Sequence, residues 1–395
     1  MSETKEQQPA YISRVHLKGY KSIRDLEIDF KAGLNIIIGP NGSGKTNFLE
    51  FVSLINTYPI YQFTQEEFDG LIETNNSKLE LKGQYGGDFQ YQIIEKSFSN
   101  NKHILTRQID FWNNKEGNPI VLFDETVGKH FIKNGGKVQV IQDIIYITFG
   151  NKIESILEKG IQGSVILTNI HGNGNQTVAI NSTSDFDIFW LIGESLQGMK
   201  VLENDFISKI KIKNDELINY LKQFTPIRDL KIDDRSLVYN PINNGYELRN
   251  VNLLFLVNKK WLYWHQLSDG TKRLFYIFLK FLSKKNNNLF FIEEPELGIH
   301  PDQLYLLMDF LKEQSKEKQI IITTHSSEVL NILDKDELDR IIVTRYDDEK
   351  GTQMHHLSPH KIKKGQMYMD KVGYLSNFWV HSNLEEYEAE EYEVE

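Results

Sequence analysis

LNIIIGPNGSGKT, residues 34–46, joins a mostly apolar run to a glycine-rich turn that ends in lysine and threonine. Leu34 to Ile38 read as a central strand, buried on both faces and therefore without a polar side. Directly after it stands GPNGSGKT, Gly39 to Thr46, a full match to G-x-x-x-x-G-K-[ST]. The spacing has a physical logic. Glycines let the backbone curl until several N–H groups converge on phosphate oxygens, and the N-terminus of the next helix adds partial positive charge. Lys45 then reaches the outer phosphates, and the Thr46 hydroxyl is placed to ligate Mg2+. Phe48, Phe51, Val52 and Ile55 recur at helical spacing behind the turn, so the order is strand, turn, helix. Gly39, Asn41, Gly42, Ser43, Gly44, Lys45, Thr46 and Asn47 form the candidate cradle of a nucleoside triphosphate.

Three further stretches bear on the same chemistry. In NLFFIEEPELGIHP (288–301) a buried strand, Leu289 to Ile292, runs into Glu293 and Glu294. In P-loop enzymes a second strand ends in an acid that holds Mg2+. Successive residues of an extended strand point to opposite sides, so the two glutamates should not share a target. One can take the metal side while the other leans over the γ-phosphate. LSDGTKRL (267–274) puts a Ser-x-Gly turn before a helix, where Ser268, nearby amides and the helix N-terminus make a second anion site. By itself such a serine is more often an N-cap. IIITTHSSE (320–328) places His325 after another buried strand, at the sheet end where open α/β folds bind ligands, and a γ-phosphate contact suits it.

RDLEIDF (24–30) alternates like a half-buried strand. From about residue 252 strands and helices alternate again: a helix over 273–284, strand 289–292, a helix over 302–315, and strands 319–323 and 340–346. That alternation argues α/β, and both ends of the chain must share one sheet. Between them KLELKGQYGGDFQYQII (78–94) reads as a hairpin turning at Gly86-Gly87. Strands follow at 103–112 and 119–124, then a loop at NIHGNGNQ (169–176) and two helical stretches. No repeat and no sustained heptad pattern is present, so a long coiled coil is not supported.

Composition narrows the rest. The 395 residues include no cysteine, so thiol catalysis, thiolate metal sites and disulfides are excluded. The formal net charge of −10 argues against a generally basic DNA-coating protein. HKIKK (360–364) and Lys259-Lys260 are modest basic patches that read more simply as solvated faces. The tail LEEYEAEEYEVE (384–395) is strongly acidic, either a solvated terminus or a docking segment for a basic partner. No signal peptide and no apolar run of membrane-spanning length is seen. A cytoplasmic protein without membrane contact is expected.

The four motifs in this order resemble the ATPase head of the ABC superfamily, in its RecF/SMC/OLD branch. ISRVHLKGYKSIRDLEIDFKAGLNIIIGPNGSGKTNFLE (12–50) and residues 265–333 carry the resemblance. It implies an α/β ABC-type P-loop head: a mixed, partly parallel sheet with helices, an N-terminal antiparallel part and a large α+β insert. The expected division is residues 1–60 and 251–350 for the head and 61–250 for the inserted lobe, with 351–395 as a C-terminal element. It implies ATP and Mg2+ as ligands and sandwiching of ATP between two copies. Lys45 and Thr46 would then act in cis and Ser268 and Gly270 in trans, with the D-loop at Leu297–His300. Glu294 would orient the attacking water, His325 would sense the γ-phosphate, and Glu293 would join Thr46 on the metal side. The superfamily usually has aspartate there; the extra methylene adds about 1.5 Å of reach, so direct and water-mediated contact both stay open. Glu296 would begin the loop facing the second copy, and Gln62 or Gln65 would be the Q-loop glutamine. OLD nucleases carry a TOPRIM domain that the residues after 346 are too few to form. The expected function is an ATP-hydrolysing, ATP-dimerising switch controlling a separate nuclease or toxin in anti-phage defence. The rival is a RecF-like ATPase of DNA repair that binds DNA, and a third reading is an idle scaffold.

Overall fold

A computed structural model describes residues 11–57, 67–74, 77–86, 90–99, 102–113, 119–125, 144–147, 163–169, 176–182, 214–233, 237–240, 245–248, 252–283 and 289–382. In chain order these form β1 (Ile12–Tyr20), β2 (Ile23–Asp29), β3 (Leu34–Ile38), α1 (Lys45–Thr57), β4 (Glu67–Thr74), β5 (Ser77–Gly86), β6 (Gln90–Ser99), β7 (Lys102–Asn113), β8 (Pro119–Glu125) and β9 (Ile144–Ile147). Next come β10 (Gly163–Asn169), β11 (Gln176–Ser182), α2 (Asp215–Phe224), β12 (Ile227–Ile232), β13 (Leu237–Asn240), β14 (Gly245–Leu248), β15 (Leu253–Val257), β16 (Lys260–Tyr263) and α3 (Asp269–Ser283). The chain then runs through β17 (Leu289–Glu293), α4 (Pro301–Gln314), β18 (Gln319–Thr324), β19 (Ile341–Asp347), β20 (Gly351–His356), α5 (Pro359–Lys371) and α6 (Leu375–His381).

Two compact units result: residues 1–146, 286–296 and 308–395, and residues 147–285 and 297–307. The first is organised on a 13-stranded sheet in the order β8-β7-β6-β5-β4-β1-β2-β20-β19-β3-β18-β17-β9. Four neighbours, β19, β3, β18 and β17, are parallel. From β8 to β2 every pairing is antiparallel, and β20 joins the two regimes by pairing antiparallel with both β2 and β19. Both ends of the chain do share one sheet, and the fold is an α/β P-loop ATPase type. Strands β4 to β8, from the stretch read as an insert, continue that sheet by pairing β4 with β1 in register Val15↔Ile72 and Leu17↔Gly70.

The burial pattern follows the sequence. All five residues of β3 are buried, and Leu26, Ile28 and Phe30 turn inward from β2 and its end. Phe48, Phe51 and Val52 of α1 meet Val15, Leu17, Tyr20, Ile37 and Ile321 in one apolar cluster. One buried polar side chain is fully used. Gln319 accepts from the Ile12 N–H at 2.7 Å and donates to the carbonyls of Ile12 and Lys31 at 2.8 and 2.9 Å, pinning β1 to the start of β18. A buried amide so satisfied costs little and fixes one register.

The second unit holds two smaller sheets, β11-β10-β14-β13 and β12-β15-β16. Asn214 caps α2 by accepting from the Leu217 N–H at 2.9 Å, and acids fill the first turn, as the helix dipole favours. Tyr220 and Phe224 of α2 pack on Phe278 of α3 with ring centroids 5.3 and 4.8 Å apart, while Phe275 meets Phe255 and Trp264. Aromatic packing thus seats the helix that begins at the Ser268 turn. The loop at 170–175, the helix read over SDFDIFWLIGESL and the turn at 87–89 lie outside the described residues.

Candidate functional site

Three of the parallel strands end together. Glu293 of β17 is level with Thr323 of β18, Thr323 with Ile37 of β3, and Thr324 with Ile38. The segments beyond them are tied by main-chain bonds: Gly39 N–H to the Thr324 carbonyl at 3.3 Å and Glu294 N–H to the Thr323 carbonyl at 2.8 Å. Carboxyl ends of parallel strands are where ligands bind in open α/β sheets, and parallel register brings three distant stretches of sequence to that edge.

The glycine turn is shaped from outside as well as by its own conformation. Gly42 and Gly44 have φ of +81° and +96°, the left-handed region that glycine enters without strain. A Cβ on Gly44 would lie 2.0 Å from Thr352 Oγ1. Ser22 shares a hydrogen bond of 2.7 Å with that hydroxyl, and Asn47 donates to Ser22 Oγ at 2.7 Å. Ser22 and Thr352 are residues that motif reading missed; the first lies in the quoted LKGYKSIRD stretch, while nothing local marks the second. Asn41 and Thr46 are exposed, and Ser43 is buried.

Lys45 is 5% exposed and donates to the carbonyls of Gly39 and Pro40 at 2.7 and 2.9 Å. Burial pushes its pKa down, while the charges of Glu294, Glu296 and Glu293 push it back up. A cation held in a curl of carbonyls, faced by acids, is ready to turn to phosphate oxygens.

The two adjacent glutamates divide. The Thr46 hydroxyl donates to Glu293 Oε1, so Glu293 is the acid on the P-loop threonine. Glu294 Oε1 instead lies 3.4 Å from His325 Nδ1. The split comes less from strand alternation than from the backbone: β17 ends at Glu293, and Glu294 has φ +43°, uncommon for a residue with a side chain. Such strain persists only where the surroundings hold it.

Glu296 itself is turned inward: its side chain is 7% exposed and faces its own chain. Its Oε1 accepts from the Thr324 hydroxyl at 2.5 Å and the His325 N–H at 3.3 Å, and lies 3.6 Å from His325 Nδ1. Pro295 breaks the strand, and the loop carries the third acid back under the turn after β18.

Among the described residues no group of three or more His, Cys, Asp or Glu forms a metal cage. Mg2+ does not require one, since it keeps waters and takes one or two protein oxygens plus substrate phosphates. The paired oxygens of Thr46 and Glu293 fit that donor set.

Ser268 and Gly270 belong to the second unit. Ser268 accepts from the Thr271 N–H at 3.3 Å and shares a hydroxyl bond with Thr271 at 2.8 Å, the geometry of an N-cap. A Cβ on Gly270 would stand 2.4 Å from the Gly298 carbonyl. The Ser-x-Gly turn and the loop at 297–300 are therefore in backbone contact, and Leu297 is 37% exposed beside them. Gln62, Gln65 and the acidic tail lie outside the described residues. No helix among the described residues is long and apolar enough to cross a membrane.

A model of the family described as AAA ATPase domain matches residues 11–330. The chain is 22% identical over 370 residues to the endonuclease GajA of Bacillus cereus (strain VD045), covering 83% of this chain and 58% of GajA. It is 24% identical over 347 residues to an ATP/GTP phosphatase of Helicobacter pylori (strain ATCC 700392 / 26695), covering 82% and 88%. To the DNA replication and repair protein RecF of Desulfitobacterium hafniense (strain DSM 10664 / DCB-2) it is 41% identical over 94 residues, 24% of this chain and 25% of RecF. The chain thus spans 58% of GajA's length and 25% of RecF's.

Proposed function

The chain belongs to the AAA ATPase domain family, and from that premise we propose that it is an ATP-binding and ATP-hydrolysing switch that dimerises around ATP and controls a separate nuclease or toxin. One observation carries the hydrolytic part: Thr46–Glu293 and Glu294–His325 are two polar pairs at the ends of adjacent parallel strands. One pair suits a metal-bound phosphate, the other an attacking water.

The P-loop amides and Lys45 take the negative charge of the outer phosphates. Thr46 and Glu293 would hold Mg2+, which when bound neutralises phosphate charge. Glu294 accepts a hydrogen bond from the attacking water and draws its proton away as the oxygen approaches phosphorus. His325, with Nδ1 on the acids, keeps Nε2 for the γ-phosphate. The Ser268 turn and the α3 N-terminus close over the nucleotide of a second copy, supplying donors to its terminal phosphate.

The likeness to GajA, an endonuclease by name, supports the link to a nuclease, and anti-phage defence is the setting we propose for it. A second reading, a RecF-like ATPase acting on DNA, has its own support in the 41% identity to RecF over 94 residues. The test of the switch is phosphate release together with light scattering on the purified chain. ATP hydrolysis that Lys45→Ala abolishes, and an ATP-bound dimer that accumulates in Glu294→Gln, are expected. A Glu294→Gln chain that stays monomeric with saturating ATP sinks the switch. ATP-dependent binding to duplex DNA that weakens steeply with salt would favour the second reading.

A further inference from the structure

We propose that Glu296 is a positioning residue for hydrolysis: its buried carboxylate fixes the turn that carries His325 and so sets the imidazole beside Glu294. The proposal rests on Glu294 and His325 being the hydrolytic pair. Every hydrogen bond Glu296 makes goes to that turn. Oε1 takes the Thr324 hydroxyl at 2.5 Å and the His325 N–H at 3.3 Å, while Oε2 has no hydrogen-bond partner among the described residues. Thr324 Oγ1 in turn accepts from the Ser326 N–H at 2.9 Å, and the Thr324 carbonyl receives Gly39 N–H at 3.3 Å. One carboxylate therefore reaches the His325 main chain, the turn on its far side and, through Thr324, the first residue of the P-loop.

A structural role alone explains this poorly. A carboxylate nine-tenths buried with one oxygen unpaired costs stability, and the turn it serves already has main-chain and hydroxyl bonds of its own. What the acid adds is direction. The His325 side chain is 35% exposed, yet its Nδ1 lies 3.4 and 3.6 Å from Glu294 and Glu296. Glu296 is more buried than either partner, so it is the fixed member and the other two are the groups that meet substrate.

The experiment is a mutant cycle on the full chain, read by single-turnover ATP hydrolysis and by fluorescent-nucleotide binding. Glu296→Ala should lower kcat by about 10- to 100-fold, the scale of an ångström-sized misplacement, with KM within about threefold. In a His325→Ala background the same change should cost little more, because groups acting as a unit are not additive. Glu296→Gln keeps a carbonyl acceptor and should recover most of the rate. If Glu296→Ala does not fold, Thr324→Val, which removes the hydroxyl donated to Glu296 together with the acceptor of the Ser326 N–H, is put through the same cycle. Free-energy losses that add in the double variant overturn the proposal, as does a Glu296→Ala loss confined to KM. Should Lys45→Ala and Glu294→Gln hydrolyse ATP like the parent, the functional reading itself has failed; additive losses with both of those inactive overturn Glu296 alone.

Discussion

The nucleotide edge of the first unit and the Ser268 turn of the second both present a helix N-terminus, but they are built by different physics. The first gathers Lys45, Glu293, Glu294, Glu296 and His325 around three strand ends, and the charges of the three acids act on Lys45. The second pairs its charges locally, Lys272 with Asp269 at 3.3 Å. Its serine is engaged by Thr271, its glycine is pressed on the Gly298 carbonyl, and an aromatic cluster seats its helix. On the proposed function the first would handle protons and phosphates, and the second would serve as a shaped surface. The contrast teaches where to expect losses of rate and where losses of association.

The largest effect belongs to the acid edge. Glu294→Gln should reduce single-turnover hydrolysis by about 10²- to 10⁴-fold, the usual worth of a positioned base, with nucleotide affinity little changed. A parent-like rate would move the base elsewhere in the cluster. Next comes Gly270→Ala. The added methyl must displace backbone at Gly298, so hydrolysis and ATP-driven association should fall roughly tenfold or more, since a backbone shift cannot be absorbed by a rotamer. Nucleotide binding by the P-loop should persist. Mixing Gly270→Ala with Lys45→Ala chains then sharpens the comparison, for a mixed dimer keeps one intact pairing and should regain measurable phosphate release.

A smaller effect is expected at Ser268. Removing the cap should cost about 1 kcal/mol of stability, seen as a shift of a few degrees in the melting midpoint, in addition to any loss of association. The smallest lies outside both regions. His355 on β20 has its pKa lowered to about 4 by burial and by the charges of Arg345, Lys361 and His356. The unfolded chain takes that proton near 6.5 and the folded chain only near about 4. Its contribution is therefore complete above the higher value and is lost as pH falls toward the lower. Thermal midpoints should decline through that window, and His355→Gln should flatten the decline without changing the ratio of rates between the two regions.

Much of this was legible residue by residue. The buried run of β3, the P-loop and the helix behind it are local facts of pattern and glycine placement, and so are β2, β17, β18 and α3. That Glu293 and Glu294 meet different partners was also readable, though for an incomplete reason: alternation implied it, and the left-handed backbone at Glu294 completes it. The contacts of Glu296 were not readable because its partners, Thr324 and His325, are nearly thirty residues away in the chain. A carboxylate after a proline looks like a surface loop until the neighbouring strand ends beside it. Thr352 escaped for the same reason, being a plain strand threonine until β20 is laid along β2.

By itself, then, the sequence determined which residues can do the chemistry, because phosphate binding and metal ligation demand particular groups at short, fixed spacings. Only the tertiary structure decided which of three nearby acids faces Thr46, which faces His325 and which is buried between them. It also decided that β4 to β8 extend the sheet of β1. Those choices depend on strand register, and register is set by long-range pairing of main-chain groups that carry no side-chain label.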